Sequence, residues 1–223
     1  TNMLLAGTLS SQDIANASLW VDYIFLDTDE RRRYAQLSHE YLIEQLQFTG
    51  DESVNSSVNN IRLNFNHPVK ELVWVVQQNS LLTKDWTNFS SSSASPSASA
   101  NEEYNEGQTF GSVTGFVNPV YSAQLKLNGQ DRFYVRAGAY FNLVQPFQHH
   151  TRNSRNPGIN VYSFALKPEE HQPSGTLNMS RIDTAVLALT TNLGSAASVV
   201  KIFAVNYNVL RIMSGMGGLA YSN

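Results

Sequence analysis

The sequence predicts an all-β fold: an antiparallel sandwich or jelly roll of about eight strands, with one or two short helices and a long surface loop. Three observations lead there. Runs of alternating apolar and polar residues recur along the 223 residues, and period two is the mark of a strand. Turn signals such as Asn66-His67-Pro68 and Asn128-Gly129 separate them. Only three stretches carry any helix signal, and no repeat shows at solenoid or propeller periods.

The elements follow in order. Residues 1–18 are small, polar and without period, and read as a linker or arm. Leu19–Asp27 (LWVDYIFLD) is aromatic and β-branched and is the first expected strand. Thr28–Leu37 reads as a short helix, with Thr28 as N-cap, acids in the first turn and arginines after them. Glu40–Phe48 (EYLIEQLQF) is ambiguous; propensity alone slightly favours helix. Asp51–Asn60 reads as a polar loop. Ile61–Phe65 is a clean strand with Ile61, Leu63 and Phe65 inward. After the Pro68 turn, Glu71–Gln77 (ELVWVVQ) is a strand buried on both sides.

Gln78–Asn118 is expected to be irregular. Its centre, Ser90–Ala100, has no apolar side chain larger than alanine, too little to offset the entropy of ordering, so it reads as a surface excursion. Val120–Leu127 is a strand closed by Asn128-Gly129. Arg132–Val144 reads as helix or irregular chain, with Pro146 ending any helix. Gln148–Pro157 is a loop, Gly158–Leu166 a strand, Lys167–Gly175 a proline-rich connection, and Thr176–Thr190 a strand. The last strand is long. Val200, Ile202, Ala204, Asn206, Asn208, Leu210 and Ile212 share one side; Phe203, Val205, Tyr207, Val209 and Arg211 share the other. Large apolar groups on both sides place it centrally, covered on both faces for much of its length. Gly215-Met216-Gly217-Gly218 reads as a flexible tail able to pass close to a neighbour. The expected division is an arm (1–18), a sandwich domain (19–213) and a glycine-rich tail (214–223).

Composition narrows the function. Charged residues make up 15%, against the usual quarter, which suits a surface that faces neighbours with few charges to desolvate. A net charge of −3 argues against a nucleic-acid grip. The one basic run, Arg31-Arg32-Arg33, is offset by Asp27, Asp29 and Glu30. There is no cysteine, so disulfide and thiolate chemistry are excluded. No apolar run reaches transmembrane length. The start, Thr1-Asn2-Met3-Leu4-Leu5, has neither a basic region nor a full hydrophobic region, so no signal peptide is read; without Met at position 1 the chain is a fragment or its start lies elsewhere.

No constellation points to catalysis. Adjacent side chains on an extended chain diverge, so His149-His150 is a poor chelate. His39-Glu40 lacks a second histidine, and Glu169-Glu170-His171 lacks the further histidines of a cupin. Asp27/Asp29 and Glu102/Glu103 lie in charged or irregular segments with nothing to split their pKa values. No nucleophile elbow or phosphate loop is present. The expectation is no catalytic residue, no cofactor and no metal. Sequons occur at Asn16, Asn55, Asn88 and Asn178; Asn55 and Asn88 lie in expected loops and are the candidate N-glycosylation sites.

Strand counting alone does not separate a viral jelly roll from a lectin, a cupin or an immunoglobulin-like sandwich. The alternatives are a carbohydrate-binding domain, with Trp86 and Phe89 stacking on sugars, and a cupin-type metalloenzyme. Longer blocks go further. WVDYIFLDTDERRRYAQLSHEYLIEQLQ (20–47), IRLNFNHP (61–68), LNGQDRF (127–133), YSFALKP (162–168), QPSGTLNMSRID (172–183) and VNYNVLRIMSGMGGLAYSN (205–223) together resemble the major capsid proteins of nucleocytoplasmic large DNA viruses, nearest the phycodnavirus and iridovirus group. The resemblance implies an eight-stranded jelly roll, the second of two, and a strand at Glu40–Phe48. It also implies a non-enzymatic structural protein of an icosahedral shell. Three chains would make a pseudo-hexagonal capsomer that contacts neighbouring capsomers and minor capsid proteins, assembled in the host cytoplasm into the virion; the algal-virus relatives are glycoproteins, though not chiefly through the sequon tripeptide. Residues 51–58 and most of 78–118 lie outside these blocks, and the first jelly roll is not in this sequence.

Overall fold

The computed structural model describes residues 16–79, 87–91, 118–154, 157–193 and 197–221. Two sheets dominate. The first runs β1-β10-β3-β7, from His39–Val54 (β1), Ser198–Met213 (β10), Pro68–Gln78 (β3) and Ile159–Ser163 (β7). The second runs β2-β9-β4-β5, from Val58–Leu63 (β2), Ala185–Thr191 (β9), Val120–Leu127 (β4) and Gln130–Asp131 (β5), with Arg136–Ala137 (β6) also on β4. Leu177–Asn178 (β8) pairs with β3 and Met216–Leu219 (β11) with β10. Successive long strands change sheet: β1, β3, β7 and β10 on one side, β2, β4 and β9 on the other. That alternation, with the last strand lying between the first and the third, is a jelly roll.

The chain forms two compact units. One runs as far as Tyr41 and takes in Val209–Ala220; the other holds Leu42–Asn208 and the chain end.

The larger unit carries the core. Across the second sheet, Leu187 pairs with Ile61 on one side and Leu125 on the other, and all three are buried. Across the first sheet, Leu72 lies between Ala204 and Tyr162, and Trp74 between Ile202 and Asn160. Alternation along β2, β9 and the first half of β10 puts these rows inside. Trp74 is 1% exposed. Its ring meets Phe141 at 5.1 Å, and Phe133 joins Phe141 and Tyr162 at 5.6 and 4.8 Å. Tilted ring pairs at such distances contribute beyond their buried area.

Two glycines are set by close approach. A Cβ on Gly158 would lie 1.8 Å from the Phe89 carbonyl oxygen, and one on Gly138 equally close to that of Val120. At the β4–β5 turn, Asn128 and Gly129 both have positive φ, 50° and 80°, as a two-residue type I′ hairpin requires.

In the smaller unit, helix α1 (Thr28–Gln36) is capped by Asp27, whose Oδ1 accepts from the amides of Asp29 (2.6 Å) and Glu30 (3.2 Å). Arg211 meets Glu40 at 2.7 Å. No described residue of this unit is buried.

Several sequence expectations are corrected. Leu19–Asp27 forms no strand and belongs to neither sheet, and Trp20 and Phe25 are 91% and 92% exposed; its β-rich composition has no partner strand among the described residues. The N-cap is Asp27 and not Thr28. Asp51–Asn60 is no open loop, because β1 continues to Val54 and β2 starts at Val58. Pro146 does not end a helix: it sits in the first turn of α2 (Gln145–His149), where a missing N–H costs nothing. The glycine tail forms β11, folded back on β10 through Ser214-Gly215 with φ 52° and 77°. Along β10 the inward side is buried, but Phe203 and Val205 opposite are only half-buried. Glu40–Phe48, which propensity assigned marginally to helix, lies within β1, as the resemblance implied.

Trp74→Ala is expected to destabilise the fold by about 3–5 kcal/mol, read as a lower urea midpoint with an unchanged m-value.

Candidate functional site

The strongest concentration of chemistry among the described residues lies at a flaw in the β3–β10 ladder. Glu71 faces Val205 and Val69 faces Asn206, so Lys70 is skipped. The skipped residue makes a β-bulge, which re-aims side chains. Its carbonyl accepts from the amides of Phe164 (2.9 Å) and Ala165 (3.2 Å), so the bulge leaves no orphan there.

Lys70 is 3% exposed. A buried ammonium must be paired. Its Nζ lies 2.6 Å from Glu44 Oε1 on β1, donates to the Pro168 carbonyl at 2.6 Å, and sits 5.4 Å from the centre of the Tyr207 ring. The buried Tyr207 hydroxyl has no hydrogen-bond partner among the described residues. Burial, then the charges of Glu44 and Glu71, push its pKa up.

Next along β3, Glu71 Oε2 lies 2.9 Å from His150 Nε2, both side chains about 15% exposed. The Glu71 hydrogen bond raises the pKa of His150; burial opposes it, the charges of Glu71 and Glu169 add to it, and Lys70 opposes. Thr151 donates its amide to Glu169 Oε2 at 2.9 Å, and its side-chain and backbone hydrogen bonds hold that carboxyl below its ordinary range. The group thus joins β1, β3, β10, the end of α2 and the 167–170 turn by alternating charges.

The segment bearing His150 also covers a sheet edge. A π-helical turn, Tyr140–Val144, runs into α2. Asn142 Nδ2 donates to the Ile159 carbonyl (2.8 Å), and Gln145 Oε1 accepts from the Ser163 amide (3.0 Å). Those two bonds occupy backbone groups at either end of edge strand β7, one way sheets blunt their edges. Val144 and Phe147 point outward, Phe147 79% exposed.

The residues singled out in the sequence fall as follows. His149 and His150 have different partners: His149 Nδ1 contacts the Leu166 carbonyl at 2.9 Å. Among the described residues no three His, Asp or Glu side chains are grouped to hold a metal. Glu170 pairs with Lys167 at 3.1 Å. Asn55 is exposed between β1 and β2. Asn88 is 1% exposed, and its Oδ1 accepts from the Ser90 amide and hydroxyl. Asn178 caps the 3-10 turn Met179–Arg181. Asn16 is exposed. Trp86, Glu102, Glu103 and most of Ser90–Ala100 lie outside the described residues; Phe89 is half-buried. Sequence reasoning missed Lys70 and Glu71. The available signal was a charged pair inside the otherwise apolar strand PVKELVWVV, where burial on both sides demands partners.

A family model for the large eukaryotic DNA virus major capsid protein matches residues 30–218. The chain belongs to that family. It is 50% identical to the major capsid protein of Phaeocystis pouchetii virus over 95% of this chain and 54% of the relative. It is 45% identical to that of Paramecium bursaria Chlorella virus 1 over 92% of this chain and 54% of the relative. Among solved structures it is similar to a quasi-atomic model of the PBCV-1 virus capsid, with TM-score 0.68 and 42% identity, covering 90% of this chain and 56% of that one. The chain therefore spans about half the length of the capsid proteins it matches, and the jelly roll derived above agrees with the family expectation.

Removing one partner should separate buried from exposed ion pairs. Glu44→Ala, which strands the Lys70 charge, is expected to cost about 1–3 kcal/mol, below the roughly 3–5 kcal/mol of a fully buried pair because Glu44 is itself a third exposed. Glu40→Ala, at the exposed Arg211 pair, is expected to cost under about 1 kcal/mol. Denaturant titration of the two variants checks the contrast.

Proposed function

We propose that the chain is one jelly roll, the second, of a viral major capsid protein, and that it works as a structural brick and not as an enzyme. The observation that carries this is the family match over residues 30–218 by a chain that spans about half of its relatives. The complete protein then forms homotrimers of pseudo-hexagonal outline, which abut neighbouring capsomers and minor capsid proteins in the icosahedral shell of the virion, assembled in the host cytoplasm. No direct contact with nucleic acid is part of this reading, consistent with the net charge of −3. No described helix is long and apolar enough to cross a membrane.

Two surfaces are assigned to subunit contacts: the region of α1 at Arg31–Tyr34, and Arg136–Gln148. What supports them is exposure of large apolar groups. In the smaller unit Leu19, Trp20, Tyr23, Ile24 and Phe25 are all open, and in the second region Val144 and Phe147 are. Apolar patches on this scale favour covering by a partner. The stretch Ser90–Tyr104 is assigned to the outer face of the shell. Of the two glycan candidates, exposed Asn55 is retained, whereas Asn88 is 1% exposed and would have to be uncovered before its amide nitrogen could be modified. The lectin reading finds no support, since the relatives are capsid proteins and Phe89 is half-buried.

Sedimentation of the complete protein is expected to give trimers without added ligand; a monomer that binds sugar on a glycan array overturns the reading. Cross-linking on intact particles is expected to place Ser90–Tyr104 outward, and cross-links from it to the genome side reverse that assignment. Intact mass of virion-derived protein is expected to exceed the bare polypeptide by a glycan on Asn55; the bare mass removes the glycan.

A further inference from the structure

The family function gives no role to the buried charges around His150, yet they stand where a contact surface is fastened to the sandwich. His150 follows α2 directly, and its backbone amide closes that helix on the Pro146 carbonyl at 2.9 Å. Its ring reaches across to Glu71 on β3. One residue on, Thr151 is held by Glu169 of the 167–170 turn. That turn is fastened in its own right, through the Lys70 ammonium on the Pro168 carbonyl. Phe147 of α2 and Val144 just before it are exposed.

We propose that the His150–Glu71 pair is a proton-operated latch: with His150 protonated it pins the end of α2 and Thr151 to β3, and on loss of that proton this segment loosens while the sandwich stays folded. The groups that decide the charge of His150 come from every element packed around it. Glu71 and Lys70 are on β3 and Glu169 is in the 167–170 turn; Arg152, on its own segment, acts on Glu169, and Glu44 on β1 and the Tyr207 ring on β10 contact Lys70. Lys70 is already shared between Glu44 and the Pro168 carbonyl, so it does not replace the imidazolium for Glu71. A hydrogen bond between charged partners is about twice as strong as a neutral one, so deprotonation weakens the pin without abolishing it. Gln145 and Asn142 hold the preceding turn to β7 independently of pH, which confines the loosening to the stretch after them.

The sign follows from linkage. The folded chain raises the pKa of His150, so its contribution is complete below the ordinary histidine range and is lost as pH rises through the raised value. Glu169 works the other way: its lowered pKa makes its contribution present at neutral pH and lost only in acid. The latch is therefore closed below the ordinary histidine range and opens as pH rises through the raised value of His150.

Hydrogen exchange followed by mass spectrometry on the complete protein, corrected for intrinsic rates, tests this. Between pH 6 and 9, protection of residues 147–151 is expected to fall by roughly tenfold for each unit by which the His150 pKa exceeds its ordinary value, while β3 and β10 stay protected. His150→Gln, which keeps a donor and cannot gain a charge, is expected to show low protection of this segment at every pH. NMR titration of the His150 ring supplies a second readout, with Glu71→Gln moving it down. The same pH slope in the Gln variant, or a ring that titrates at or below the ordinary range, overturns the latch. Either result leaves the capsid reading untouched, because trimer formation is measured separately.

Discussion

The structure depends on one strand being in the right place. β10, the last long strand, lies between β1 and β3 and is paired with β3 over nine positions from Ser198 to Asn206. Its inward residues, Val200, Ile202 and Ala204, are buried among the side chains of both sheets. Until the end of the chain is in place, β1 and β3 have no common neighbour and the core lacks one wall. Closure therefore couples distant residues, from Ser198 with Gln78 to Asn206 with Val69. Such long-range pairing forms late and slowly, because loop-closure entropy must be met before the contacts reward it.

The same ladder contains the one defect with chemical content. The bulge at Lys70 interrupts the β3–β10 register and turns two charged residues into positions where burial forces them to find partners. Those partners come from β1, the end of α2 and the proline-rich turn. Breaking one charge from the set costs more than the intact set contributes, since an unpaired buried ion is the expensive state. The π turn and α2 complete this side by occupying backbone groups of edge strand β7. Covering such an edge matters because an open edge is a template for unplanned pairing.

Most strands were legible locally. The alternation in Ile61–Phe65, the Asn128-Gly129 turn and the long Val200–Ile212 pattern each reflect a period or a backbone requirement that a few neighbouring residues meet alone. The failures have a common cause. Leu19–Asp27 has strand composition, but a strand needs a partner, and composition carries no information about one. Pro146 looks like a helix terminator, yet a proline in the first turn is compatible with a helix whose start is set elsewhere. The apolar spacing of Glu40–Phe48 fits both periods and only the resemblance assigns it to a strand; β10 beside it decides for the sheet.

The sequence by itself determined the class of the protein: all-β, poor in charge, without cysteine, and written in blocks that mark a capsid family. Those properties are carried by local pattern and residue type. Only the tertiary structure decided that the last strand would sit between the first and the third, that Glu44, Lys70, Glu71 and His150 would converge, and that Asn88 would be buried while Asn55 stayed open. These depend on which distant segments meet, and in a jelly roll nearly every pairing crosses between elements far apart in the chain.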